Sequence, residues 1–194
     1  MPLSTRWTRI MPASVCAMTG YGVFVYGSSS FILPVADEAP ELPISTCPYA
    51  FALRSVTFAV VNLAFGSFLL RGPPHRWVLC SVALMILGCT CAGASVAAVE
   101  PSAAGFTISL IVAGVATAAF YLPVYQPMLA WFPDRKGLVA GFVGVGQASG
   151  GSLWNAAAPA IALHTRSSGL FLLYGLTVGS FWLAGVLVTW PPAA

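Results

Sequence analysis

Six long apolar stretches, almost free of charged residues, constrain the fold of this chain more than any other feature. Each is long enough for the about 20 residues that cross the hydrocarbon core of a bilayer as a helix. The chain has 58% hydrophobic and only 7% charged residues, a balance that is not typical of a soluble domain. The sequence therefore predicts an all-α, multi-pass integral membrane protein with six transmembrane helices, at residues 12–34, 49–70, 77–99, 104–130, 137–162 and 168–190.

The basic residues between these stretches predict how the helices are oriented. Two of the eight, Arg54 and Arg166, fall near one side of the membrane. The side richer in Lys and Arg is normally cytoplasmic, so both termini are expected in the cytoplasm. The other six basic residues lie on that side: Arg6, Arg9, Arg71, Arg76, Arg135 and Lys136. They form no basic patch of the kind that binds nucleic acid, so the partners expected are the lipid bilayer and molecules that cross it.

The connections between the stretches predict a single compact domain over residues 1–194. Only the first, PVADEAPELPISTCPY at 34–49, is sizeable. Prolines in the others stop the helices where the chain must turn. Connections this short are expected to make consecutive helices neighbours, which gives one six-helix bundle with no soluble catalytic module.

A stripe of small residues distinguishes the predicted fifth helix. At about 100° per residue, five positions fall on one narrow face, and Asn155 and Ala158 continue it. Small residues let the backbones of membrane helices approach closely, so this face predicts a helix-packing contact. The five positions are Gly137, Gly141, Gly144, Ala148 and Gly151.

Two amides accompany this stripe, Asn155 on it and Gln147 at its edge. Buried amides need hydrogen-bond partners or water. Two interpretations follow, namely hydrogen bonds between helices or the lining of a path for a substrate.

Arg54 is a charge inside an apolar stretch, which makes it a functional candidate. Arg54 and Arg71 are about 26 Å apart along a helix at about 1.5 Å per residue, close to the about 30 Å of the hydrocarbon core. Both side chains can then reach opposite interfaces, so the preferred expectation is that Arg54 extends to the outer interface. The alternative is that it binds a carboxylate from an outer vestibule.

Tyr121 and Tyr125 share a face of the predicted fourth helix, with Gln126 beside them. Pro123 and Pro127 remove backbone hydrogen bonds nearby. The two tyrosines are therefore candidates to line a substrate path, although the prolines could simply bend the helix around a neighbour.

Enzyme and metal chemistry find no support in the sequence. Asp134 is the only acidic residue after Glu100, and His75 and His164 fall on opposite sides of the predicted membrane. No nucleophile, base and orienting group can be assembled from these positions. The five cysteines show no metal-ligand spacing and are expected to be buried apolar residues. We expect no cofactor, no metal and no enzymatic activity.

The segment WFPDRKGLVAG at 131–141, preceded by Tyr121-Leu122-Pro123, resembles the junction of the fourth and fifth helices in the oxalate/formate antiporter and monocarboxylate porter branch of the major facilitator superfamily. Residues 66–76, GSFLLRGPPHR, are more weakly similar to the loop between the second and third helices of that superfamily. At the position that is acidic in the family this chain has Leu70, and at the position of the family's loop glycine it has Pro73. The glycine- and aromatic-rich segment 20–30 is loosely similar to the family's first helix.

This resemblance implies a fold and a function. The six helices would form one major-facilitator-type half bundle, the N-terminal half of a carrier that works by alternating access. The substrates expected are small organic anions, in particular monocarboxylates, with helices one, two, four and five facing the path. The loop motif on the cytoplasmic side would comprise Asp134, Arg135, Lys136, Arg71 and Arg76.

The absence of a second half leaves three expectations open. The chain is a truncated or split carrier, it pairs with itself or with another six-helix half, or it is a degenerate relative. The end of the chain just after the sixth stretch fits truncation. The alternative function is a non-transporting scaffold or regulator that docks onto another transporter through the glycine stripe.

Overall fold

A computed structural model describes residues 6–189, and this part of the chain is helical with no β-strand. It contains six long helices, which lie close to the predicted stretches. Position 190 of the last predicted helix, and residues 1–5 and 190–194 of the predicted domain, including both termini, lie outside the described residues. The helices are α1 (Arg6–Glu38), α2 (Thr46–Arg71), α3 (Pro74–Val96), α4 (Ala103–Trp131), α5 (Lys136–Ala162) and α6 (Ser167–Thr189).

Five of these helices, all except α5, are long and apolar enough to cross a membrane. The chain is therefore an all-helical protein whose apolar helices indicate a multi-pass membrane protein. Helix α5 has 27 residues, so its length would suffice. Its glycines and serines, together with Gln147 and Asn155, lower its hydropathy.

Helix α1 is longer than predicted because it joins four segments. A π-helical turn at Arg6–Ile10 leads into a regular α-helix at Met11–Tyr26. A 3₁₀ segment at Gly27–Phe31 interrupts it, and Ile32–Glu38 is α-helical again. The run Gly27-Ser28-Ser29-Ser30 explains the interruption, since glycine has low helix propensity and serine hydroxyls compete for backbone groups. One of them, Ser30 Oγ, donates to the Gly27 carbonyl at 2.7 Å. We call Gly27–Phe31 the α1 break.

The helices pack in two equivalent groups of three. Helix α1 packs chiefly against α5 and α6, and helix α4 packs chiefly against α2 and α3. Helix α3 also packs against α6 and joins the groups. If α1, α2 and α3 are exchanged for α4, α5 and α6, respectively, this pattern of neighbours is unchanged.

The expectation that consecutive helices neighbour one another is wrong for most pairs. Helices α3 and α4 pack extensively, but the pairs α2–α3, α4–α5 and α5–α6 touch at only a few positions. A short connection fixes only the adjoining ends of two helices, and the rest of each helix follows the partner whose surface fits best. Helices α2 and α5 consequently have one main partner each and lie at the edges of the bundle.

Buried aromatic side chains fill the core where α1, α3, α4 and α6 meet. The Phe120 and Trp182 rings stack with their centroids 4.2 Å apart, and the Phe31 and Phe171 rings do the same at 4.2 Å. Trp131 Nε1 donates to the Val188 carbonyl at 2.8 Å and ties the end of α4 to the end of α6. The core therefore holds the α1 break against α6.

Candidate functional site at the break in helix α1

Carbonyl oxygens of α1 beside the break accept hydrogen bonds from three other helices. Arg54 of α2, Asn155 of α5 and Tyr174 of α6 donate to them. Backbone groups that leave the regular helical pattern inside an apolar bundle need such partners, because an unpaired polar group there is expensive. The break is thus the place where polar side chains of the bundle converge.

Arg54 is buried, with 3% of its surface exposed. Its Nη1 donates to the Phe24 carbonyl at 3.0 Å, and its guanidinium carbon lies 4.1 Å from the centroid of the Phe24 ring. The Phe51 ring centroid is 5.0 Å away on α2 itself. The expectation that Arg54 extends to the outer interface is therefore wrong. A carbonyl and two aromatic faces offset part of the desolvation of the cation, so the side chain turns inward.

Among the described residues the Arg54 guanidinium has no acidic counter-charge. The single ion pair among residues 6–189 joins Asp134 and Arg135 at the surface. The Arg54 Nε has no hydrogen-bond partner. The groups around this buried cation are a carbonyl, the Tyr174 hydroxyl and two aromatic rings, all of them neutral. An anion is therefore the ligand that would supply the missing counter-charge.

Tyr174, which sequence reasoning did not select, bonds to the same carbonyl as Arg54. Its hydroxyl donates to the Phe24 oxygen at 2.8 Å and lies 3.2 Å from the Val23 oxygen. The residue is 1% exposed. A tyrosine in an apolar helix ordinarily suggests packing. The available signal was indirect, since the Gly-Ser-Ser-Ser run predicts carbonyls in need of donors.

Asn155 and Gln147 both turn toward α1. Asn155 Nδ2 donates to the Tyr26 carbonyl at 3.1 Å, although the residue is exposed. Gln147 Nε2 lies 3.9 Å from the sulfur of Met18, a weak contact. The hydrogen-bonding interpretation therefore describes Asn155 in this structure, while the lining of a substrate path stays a prediction for both.

The α1 break and the segment beyond it, Ile32–Glu38, are bound to α5 and α6. Trp154 Nε1 donates to Ser30 Oγ at 2.9 Å. Ser167 begins α6. Its hydroxyl donates to the Pro34 carbonyl at 2.8 Å, and its backbone N–H donates to the Glu38 carboxylate. A cavity of about 760 Å³ lies between this segment and the α5–α6 connection. Any movement of the segment would change its walls.

Tyr121 and Tyr125 lie in an aromatic cluster built from three helices. Their rings stack with centroids 5.4 Å apart, and the Tyr121 ring contacts Tyr21 of α1 at 4.9 Å and Phe58 of α2 at 5.8 Å. Helix α4 continues through both of its prolines. The tyrosines are partly exposed, and their role in a path stays a prediction.

The glycines of α5 divide into two groups. A β-carbon added at Gly137, Gly141 or Gly144 would meet no atom within 4 Å, so these glycines make no packing contact in the described chain. Gly151 does pack, since its added β-carbon would lie 2.5 Å from Tyr26 Cβ. The predicted helix-packing role therefore stays a prediction for Gly137, Gly141 and Gly144, and it requires a partner outside the described residues.

The contact between α5 and α1 is made by Gly146 and Gly150 instead. A β-carbon at Gly146 would lie 2.8 Å from the Val15 carbonyl oxygen, and one at Gly150 would overlap the backbone of Thr19. Gly22 of α1 is equally close to the Gln147 backbone. These residues let the two backbones touch, which places Gln147 and Asn155 beside α1.

The loop motif lies at the end of the bundle opposite the break. Asp134 and Arg135 are exposed, with Asp134 Oδ2 and Arg135 Nε 3.9 Å apart. The Arg135 guanidinium carbon lies 5.8 Å from the Trp7 ring centroid. Lys136 begins α5. Arg71 and Arg76 are exposed on either side of the α2–α3 connection. Among the residues described, no group of three His, Cys, Asp or Glu could hold a metal ion.

No protein-family model matches this chain. Its sequence also has no significant match among curated proteins.

Proposed function

We propose that this chain is one six-helix half of a membrane carrier for small organic anions, with monocarboxylates as the expected substrates. The observation that carries the proposal is the buried guanidinium of Arg54, which lies beside the α1 break without an acidic partner. A carboxylate would supply the missing counter-charge, and bilayer-embedded cations of this kind mark ion and substrate pathways.

The arrangement of the helices supports a carrier. Two groups of three helices with exchangeable neighbours are the pattern of the inverted three-helix repeats nested within six-helix halves of major facilitator carriers. The resemblance of residues 131–141 to the antiporter and porter branch of that superfamily supports the same proposal. In this proposal all six helices span the bilayer, and the Asp134-Arg135-Lys136 motif and both termini are cytoplasmic.

In the proposed mechanism the substrate crosses between this bundle and a second one. Helices α1, α2, α4 and α5 face the path, with Tyr121, Tyr125, Gln147 and Asn155 along it. The second bundle is another six-helix half or a second copy of this chain. Rocking of the two bundles exposes Arg54 to either side in turn. No cofactor takes part.

Uptake by reconstituted protein tests this function. We expect saturable accumulation of labelled lactate in proteoliposomes containing the wild-type chain, and its loss in Arg54→Gln. Arg9→Gln is the matched control, because Arg9 is an exposed arginine at the opposite end of α1 from the break, and it should retain uptake. Thermal unfolding in detergent shows whether each variant is folded. Absence of saturable flux at every protein density would reject the carrier function for the isolated chain.

A second candidate function rests on the open face of α5. Gly137, Gly141 and Gly144 have no neighbour within 4 Å, and small residues on membrane helices commonly mark helix–helix contacts. The chain would then be a non-transporting half that docks onto another transporter. Cross-linking from Gly141→Cys in native membranes tests it, with Leu63→Cys on the exposed side of α2 as the control.

A further inference from the structure

We propose that Arg54 and Tyr174 together bind the carboxylate of the substrate in place of the Phe24 carbonyl, and that this exchange releases α1 at its break. The proposal rests on the proposed carrier function and adds to it a second binding residue, an exact position and a coupled movement.

Two donors converge on one oxygen in the bundle interior. Arg54 Nη1 lies 3.0 Å and the Tyr174 hydroxyl 2.8 Å from the Phe24 carbonyl oxygen. The donors come from α2 and α6, whereas the oxygen belongs to α1. A cation and a hydroxyl directed at a single acceptor form a geometry that also fits an oxygen of a carboxylate.

A carboxylate would satisfy these donors better than the carbonyl does. It carries a full negative charge, so it adds a Coulombic attraction to the guanidinium that the neutral carbonyl oxygen does not supply. It also has a second oxygen for the N–H groups of Arg54 that remain, among which Nε–H has no partner. The pair of guanidinium and carboxylate would carry no net charge, which lowers the free-energy cost of holding both groups in the bundle interior.

The exchange has a structural consequence for α1. The Phe24 carbonyl would lose both side-chain donors and need another. In a regular α-helix that donor is the N–H four residues further on, which belongs to Ser28 within the α1 break. Binding would thereby favour conversion of the 3₁₀ segment to α-helix, which turns the segment Ile32–Glu38 relative to the rest of α1.

The conversion would act on the contacts that hold the α1 break and the segment Ile32–Glu38. These are the bonds from Trp154 to Ser30 and from Ser167 to Pro34. Ser29, Leu33 and Pro34 line the cavity of about 760 Å³ next to that segment. Because Arg54 and Tyr174 are buried in the present arrangement, it corresponds to a closed state with the carbonyl occupying the anion position.

Tyr174→Phe is the direct test, because it removes the hydroxyl and keeps the ring. Lactate binding to the full chain in nanodiscs can be followed by tryptophan fluorescence, since Trp154 lies 4.9 Å from the Tyr174 ring. We expect the Kd for lactate to rise about five- to ten-fold, because the hydroxyl exchanges a bond to the neutral Phe24 carbonyl for one to a charged carboxylate and the variant loses only the difference. Tyr49→Phe, at an exposed tyrosine, should leave the Kd unchanged.

Alkylation of a cysteine tests the movement separately. Ser29→Cys, in a chain whose native cysteines are replaced, places a thiol at an exposed position of the break that lines the cavity. Saturating lactate should change its rate of reaction with a membrane-impermeant maleimide at least three-fold. The same thiol combined with Tyr174→Phe should show no such change at the same lactate concentration.

The outcomes separate this proposal from the carrier function. If wild-type protein transports lactate but Tyr174→Phe binds it with unchanged affinity, the proposed position is wrong and the carrier function stands. If wild-type protein neither binds nor transports monocarboxylates, the carrier function fails and this proposal fails with it. Should Tyr174→Phe not fold, a lactate-independent alkylation rate at Ser29→Cys in the otherwise intact chain would also overturn the proposal.

Discussion

Helix α5 carries two sets of glycines with opposite surroundings. Gly146 and Gly150 lie against the backbone of α1. A β-carbon added at Gly137, Gly141 or Gly144 would instead meet no described atom within 4 Å. Both sets have helical spacing and would permit close approach of another helix. The difference is therefore not in the glycines themselves.

The partner helix decides which set packs. Helix α1 presents Gly22 and the backbone around Thr19 to Gly150 and Gln147, so both surfaces lack side chains where they meet. Packing in lipid depends on such two-sided fit, because no hydrophobic force drives the helices together. Spacing of small residues on one helix thus shows where contact is possible, and the shape of the second helix selects the face.

Substitution of a packed glycine should have the largest effect. In Gly150→Val, the added β-carbon would overlap the Thr19 carbonyl and lie 3.0 Å from the Val23 N atom. These are backbone atoms that cannot rotate away, so the two helices must separate. We expect the free energy of unfolding to fall by at least about 3 kcal/mol, the upper range for overpacking. A lower midpoint of thermal unfolding in detergent would report this loss. Gly144→Val is the control, and an equal loss there would remove the distinction between the two faces.

Trp154→Phe should have an intermediate effect. Trp154 lies on the packed face of α5, and its Nε1 donates to Ser30 Oγ at 2.9 Å. The variant loses this bond but keeps an aromatic ring beside Phe31 and Tyr174. We expect a destabilisation of about 1–2 kcal/mol from the lost bond and the smaller ring. A stability equal to wild type would show that Trp154 does not hold the α1 break. The same unfolding measurement applies.

Asn155→Ala should have a smaller effect. Its amide donates to the Tyr26 carbonyl at 3.1 Å on an exposed part of the surface. Hydrogen bonds between membrane helices average about 0.6 kcal/mol, so we expect a loss of that order. Lactate uptake measured beside stability distinguishes its two interpretations. A large fall in uptake with little change in stability would indicate a residue of the substrate path.

The sequence predicts the helices better than their contacts. The uncharged stretches and the prolines between them place most ends within a few residues of the observed ones, because the signals are local. The α1 break lies inside a predicted helix. In the sequence, its run Gly27-Ser28-Ser29-Ser30 was used only for the loose similarity of residues 20–30 to a family's first helix, and it predicted no break. Arg54 and Tyr174 meet at Phe24 from helices 30 and 150 residues away in sequence, a convergence that only tertiary packing reveals.

The smallest effect on the bundle itself should come from the open glycines. In the double variant Gly141→Leu/Gly144→Leu, each added β-carbon would meet no atom of another described part of the chain within 4 Å. We therefore expect an unfolding midpoint equal to wild type or slightly higher, because leucine has the higher helix propensity.

Blue-native electrophoresis of native membranes adds the decisive measurement. Loss of a larger complex with an unchanged midpoint would identify this face as the contact with a second bundle, since leucines there would hold the two backbones apart. An unchanged complex would assign the face to lipid or to a wide cavity. Unfolding of the variant would mean that α5 packs inside its own bundle through the stripe the sequence first suggested, and the contrast between the two sets of glycines would fall.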